Sequence, residues 1–185
     1  RDVRDVIRDD RCGNGLVRER RKLGDVVEIE PADMNDMDAI TDQWLDLAAE
    51  QLQYGSHLRV SANREAIRMA LARHVANGTA LLARVENVVG FVSFEIVDGV
   101  FEERVTRGRI QNLYVEPGWR DRGVGSDLLD AAESKLAEDG ADRIAIEAMA
   151  ANENARRLYE NRGYDPHRIE YERPADTDAR PHEEE

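Results

Sequence analysis

Residues 113–129, LYVEPGWRDRGVGSDLL, pass from an apolar strand-like run through a loop with three glycines into an amphipathic helix-like run. That order restricts the fold more than anything else in the chain. A strand that feeds a helix through a glycine-bearing turn belongs to a layered α/β architecture, in which the helix packs back onto the sheet. The turn also has a chemical reading. The first turn of a helix carries unpaired N–H groups and a partial positive charge, and glycines leave its backbone open to an anion. Arg120 and Arg122 add mobile positive charge, so a phosphate or pyrophosphate is the natural guest.

A βα order is legible around this unit. VVEIE at 26–30 reads as a strand, and the spacing of Met37, Ile40, Trp44, Leu45 and Ala48 predicts a helix from Met34 to Leu52. Ser61 or Asn63 can cap a second helix through Ala76, which Asn77 and Gly78 stop. TALLARV, a turn at Glu86 and Asn87, and VVGFVSFEIV form a hairpin, and RIQNLYV at 109–115 supplies a third antiparallel strand. After the glycine loop come a helix at 126–138, a strand at 143–149, a helix at 152–163, and YDPHRIEYER as a closing strand or hairpin. One α/β domain over 25–172 is expected, with a mixed, mostly antiparallel sheet flanked by helices. Residues 1–24 read as a mobile leader or extension, and 173–185 as a disordered acidic tail.

Composition narrows the function classes. The chain of 185 residues has 39 acidic against 26 basic residues, net charge −13, and only Lys22 and Lys135 among its basic residues are lysines. An acidic, lysine-poor surface suits a high-salt solvent, where screening shortens charge repulsion to a few ångströms. It argues against generalised nucleic-acid binding, and the run RERRK at 18–22 reads as a solvated charged segment. Cys12 is the only cysteine, and His57, His74, His167 and His182 lack ligand spacing, so no metal site is expected. No run has the length of a membrane span and no secretory signal is visible, so the expected location is cytoplasmic.

Two common phosphate motifs fail. A P-loop needs Gly-Lys, which is absent, and a dinucleotide fingerprint needs Gly or Ala where this chain has Leu128. The pattern Arg120-x-x-Gly123-x-Gly125 after LYVEP instead resembles the acetyl-CoA signature of the GNAT acetyltransferase superfamily. A second stretch, NENARRLYENRGY at 152–164, resembles that family's N-x-x-A-x-x-L-Y-x-x-x-G-F/Y segment. The close likeness covers 109–164, and by the spacing of Glu147 to Asn152 and Tyr159 it is nearest to the ribosomal-protein N-terminal acetyltransferases.

The resemblance implies a sheet splayed between its fourth and fifth strands and an N-acetyltransferase acting on a primary amine in a ternary complex. It implies that the backbones of Leu113, Tyr114 and Val115 pair with the pantetheine arm of acetyl-CoA. The loop Arg120, Asp121, Arg122, Gly123, Val124, Gly125 and Ser126 would take the pyrophosphate, while Asn152 and Asn154 flank the cofactor. Tyr159 would be the acid beside the CoA sulfur and Glu147 the base, with Glu116 acting through water as an alternative. Tyr159 also packs a helix face with Ala155 and Leu158, and Glu147 also suits a surface ion pair. The acceptor would be chosen by the region from Asp46 to Arg64. A homodimer is expected from the family's habit, and a CoA-binding regulatory module without turnover is the second reading.

Overall fold

In the computed structural model, which describes residues 26–99 and 103–175, the hairpin grows into a five-stranded meander. The strands are β1 (Glu28–Pro31), β2 (Ala80–Arg84), β3 (Val88–Ile96), β4 (Arg107–Val115) and β5 (Arg143–Ile146). Their order in space is their order in the chain. The first three pairings are antiparallel, and β4 with β5 is parallel. A parallel pair needs a crossover, which α3 (Val124–Glu138) supplies. The other helices are α1 (Met37–Leu52) and α2 (Arg64–Ala76), which follow β1, and α4 (Glu153–Asn161). The leader through residue 24, Cys12, His182 and the end of the acidic tail fall outside the described residues.

Each face of the sheet has its own helices. On one face the cross-strand row Leu82, Phe91 and Tyr114 packs with Met37 and Ile40 of α1 and Ile67 and Leu71 of α2, and Trp44 lies partly buried against this cluster. On the other, α3 buries Val124, Leu128, Leu129, Ala132 and Leu136. Each leucine there contributes about 1.5–3 kcal/mol of transfer free energy. Close approach is bought with glycine. A Cβ on Gly90 of β3 would stand 2.6 Å from the carbonyl oxygen of Tyr114, and one on Gly108 of β4 would stand 2.9 Å from a methyl of Leu136.

The strand β4 changes sides midway. Ser93 pairs with Asn112 but Phe94 pairs with Ile110, which leaves Gln111 as an extra residue. Such a bulge reverses the alternation beyond it. Gly108 therefore meets Leu136 of α3, while Tyr114, six residues on, sits in the α1–α2 cluster, and Gln111 reaches His74 of α2 at 3.1 Å. An unbroken strand would have put Gly108, Ile110, Asn112 and Tyr114 on one face.

Two expectations are corrected, while the helix after the glycine loop begins at Val124, where Gly123 at φ 91° turns the chain into it. The strand expected at 143–149 ends at Ile146, so Glu147 lies just past it. The closing strand over 164–173 is absent: no described residue beyond α4 is in a strand, and Ile169 and Tyr171 are 70% and 88% exposed. The prolines at 166 and 174 offer no N–H to a ladder. The described chain divides into two compact units, one ending at Asn152 and one beginning at Glu153.

Candidate active site

The site in the first unit is made mostly of main chain. After β4, a short 3-10 turn at Pro117–Trp119 and two positive-φ residues, Asp121 at 59° and Gly123 at 91°, reverse the chain into α3. A φ of 91° suits glycine alone among ordinary residues. No side chain caps this helix, and its first backbone bond is from Asp127 N–H to the Gly123 carbonyl at 3.0 Å. The N–H groups of Val124, Gly125 and Ser126 thus point along the free end of the helix, while the Val124 side chain is buried beneath them. A Cβ on Gly125 would come no closer than 3.6 Å to Val115 Cγ2, an ordinary contact. The chain's own packing does not demand glycine there. An open backbone beside uncapped amides fits the pyrophosphate of a CoA molecule.

Next to this cradle lies a half-open strand. The β4–β5 ladder runs only from Arg107–Arg143 to Ile110–Ile146, so 111–115 have no β5 partner. The N–H of Glu116 donates to Val89 of β3 at 2.9 Å. By strand alternation the peptide groups of Leu113 and Val115 then face away from β3 toward the open edge, and those of Tyr114 face β3. The expected three-residue edge narrows to Leu113 and Val115. Tyr114 contributes its ring to the core, where burial first, and then the charges of Asp46 and Glu50, raise its phenol above 10.0.

The two arginines of the loop differ in how they are held. Arg120 Nε donates to the Val115 carbonyl at 2.8 Å, and its Nη2 donates to both carboxylate oxygens of Glu50 at 2.6 and 2.9 Å. Its guanidinium also lies 5.6 Å from the centre of the Tyr114 ring. Arg122 lies over the Trp119 ring at 5.1 Å. Glu116 accepts from Gln43 Nε2 at 3.1 Å, and the same amide group donates to the Val88 carbonyl at 2.9 Å. No local pattern marks Glu50 or Gln43, because their partners are 70 and 73 residues away.

Glu147 is exposed, one residue past the end of β5. The neighbouring Met149 comes within 3.9 Å of a Cβ built on Gly55, so the α1–α2 connection meets the segment that carries Glu147. Asn152 closes this unit, with its N–H on the Met149 carbonyl at 2.8 Å.

The second unit contains α4. Asn154 Oδ1 accepts from Arg157 Nη2 at 2.7 Å, and Arg156 reaches Glu160 at 3.7 Å. The Tyr159 ring lies 6.0 Å from that of Tyr164, tilted by 59°. Burial pushes the Tyr159 phenol from 10.0 up to about 12, so it is a protonated donor at neutral pH.

Among the described residues, no three His, Cys, Asp or Glu side chains gather as a metal site, and no helix is long and apolar enough to cross a membrane. Residues 41–164 match the Acetyltransferase (GNAT) family. The chain belongs to that family. As a GNAT member it is 26% identical over 152 residues to an aminoalkylphosphonate N-acetyltransferase of Salmonella typhimurium, covering 80% of this chain and 92% of the relative. It is 41% identical over 59 residues to a mycothiol acetyltransferase of Beutenbergia cavernae, covering 32% of this chain and a fifth (20%) of that longer protein. Its GNAT fold matches a GCN5-related N-acetyltransferase from Ralstonia eutropha with TM-score 0.63 at 23% identity, covering 81% and 99% of the two chains. An aminoglycoside N-acetyltransferase solved in complex with CoA matches with TM-score 0.62 at 14% identity, over 82% and 97%.

Proposed function

We propose that this chain is an N-acetyltransferase that moves the acetyl group of acetyl-CoA directly to a primary amine in a ternary complex. The observation that carries the reading is the uncapped, glycine-opened start of α3 beside the unpaired edge of β4. That pair of features supplies N–H groups for a pyrophosphate and a strand edge for an amide-bearing arm. The relatives named for aminoalkylphosphonate and aminoglycoside acetylation support an amine as the acceptor.

Each residue then has a task. The amides of Val124, Gly125 and Ser126, with Asp121, Arg122 and Gly123 shaping the loop, hold the diphosphate. Leu113 and Val115 align the arm. The Val115 N–H faces the open edge and can donate to the carbonyl oxygen as negative charge builds on it. A primary ammonium has an ordinary pKa near 10, so the acceptor must lose a proton before it attacks. Glu147 takes it, directly or through water, from a position where its carboxylate is exposed to solvent. The departing sulfur needs a proton or a hydrogen bond, and the Tyr159 phenol, kept protonated by burial, supplies it. Asn152 and Asn154 steady the cofactor near the reacting end.

Calorimetric titration with acetyl-CoA and a CoA-release assay over a panel of amines and peptides, at high and low salt, test this. Binding with turnover on one acceptor class is expected. Tight binding with no turnover on any amine would convert the reading to a regulatory CoA-binding module, and no binding at any salt would sink both.

A further inference from the structure

The guanidinium of Arg120 is occupied by the protein itself. Its Nε–H donates to the Val115 carbonyl at 2.8 Å, and its Nη2 donates to the Glu50 carboxylate, shared between the two oxygens at 2.6 and 2.9 Å. The carboxylate comes from the last turn of α1, and the carbonyl belongs to the open edge of β4. Tyr114 presents its ring to the same guanidinium at 5.6 Å. Three fixed contacts in different directions leave the planar group one orientation.

We infer that Glu50 is a positioning residue of the cofactor edge: through Arg120 it fixes the Val115 carbonyl, so Arg120 acts as a strut and not as a ligand of the diphosphate. This rests on the acetyl-CoA reading above and sharpens it. With the Val115 carbonyl taken, the open edge offers an incoming arm the Leu113 N–H and C=O and the Val115 N–H. The Val115 N–H keeps its aim because its own carbonyl neighbour is held. The anion's charge is then met by the α3 amides and Arg122.

The alternative, that Arg120 grips the diphosphate and Glu50 merely restrains it, predicts the opposite sign. Acetyl-CoA affinity is therefore measured by calorimetry, without acceptor, for the wild type, Glu50→Gln, Glu50→Asp, Arg120→Met and the Glu50→Gln/Arg120→Met double variant, after thermal melts show each to be folded. The strut requires Glu50→Gln and Arg120→Met each to weaken binding by about 3- to 10-fold, the loss of one well-placed hydrogen-bonded contact. Glu50→Asp, which keeps the charge, should lose less. The double variant should be no worse than the poorer single one, because both act through one contact. Unchanged or tighter binding by Glu50→Gln, or losses that add in the double variant, would overturn the strut while leaving the acetyl-CoA reading intact. A wild type that binds no acetyl-CoA would overturn that reading and the strut with it.

Discussion

The two stretches that match the GNAT signature are built by opposite means. Around 113–126 the proposed chemistry is main chain: a strand edge, an uncapped helix start and a loop reversed by Asp121 and Gly123, all seated on the five buried residues of α3. Around 152–164 it is side chain: Asn152, Asn154 and Tyr159 on and before a nine-residue helix with no fully buried residue. Main-chain sites depend on φ angles and Cβ clearance, so backbone-altering substitutions damage them. Side-chain sites depend on one functional group, so isosteric changes damage them.

That contrast can be broken at several points. The largest expected effect is on catalysis: Tyr159→Phe should lower kcat by roughly 10- to 1000-fold with little change in acetyl-CoA affinity, measured by steady-state kinetics beside calorimetry. The same variant has a second readout. Because the folded-state phenol titrates at about 12 against 10.0 unfolded, wild-type stability should fall between pH 10 and about 12, where only the unfolded tyrosine loses its proton. Melts of Tyr159→Phe over that range should lack this component.

Gly123→Val should weaken acetyl-CoA binding by about 10- to 100-fold, since a β-branched residue at φ 91° costs on the order of 1–3 kcal/mol unless the loop rearranges. A variant that binds normally would show that loop geometry is not what the cofactor reads. Glu147→Gln should flatten the limb of the pH–rate profile that rises with pH, and an intact limb would pass the base role elsewhere. Gly90→Ala should destabilise the fold by about 1–3 kcal/mol, because its Cβ would lie 2.6 Å from a backbone oxygen in the sheet. The smallest effect on stability belongs to Gly125→Ala, expected within ~0.5 kcal/mol of wild type because its Cβ meets only a 3.6 Å contact, while its acetyl-CoA binding should weaken where that Cβ meets the diphosphate. Unchanged binding would mean that the ligand does not use the space.

Much of the fold was legible because it rests on local signals. The hairpin of β2 and β3 follows from two apolar runs around Glu86 and Asn87, and α3 from the spacing of Leu128, Leu129, Ala132 and Leu136. The glycine-bearing turn into α3 was legible for the same reason. The bulge at Gln111 was not, since one extra polar residue inside RIQNLYV leaves no mark on its apolar pattern. The closing strand failed in the other direction: Ile169 and Tyr171 alternate like strand residues, yet alternation does not create a neighbour to pair with. Arg120 was legible as part of a motif but not as a member of a pair, because the carboxylate that holds it sits 70 residues earlier on a different element. Glu147 was placed on a strand that stops one residue short of it.

The side change in β4 has a consequence for packing. Its first half, 107–110, answers to α3 through Gly108 and Ile110, and its last residues answer to α1 and α2 through Tyr114. One strand is thus tied to two sets of neighbours, so changes in α1 and α2 are felt at Tyr114 and changes at Leu136 of α3 are felt at Gly108. Deleting the single residue Gln111 would leave both layers as they stand, because Ile110 and Asn112 would then follow one another opposite Phe94 and Ser93 in ordinary alternation.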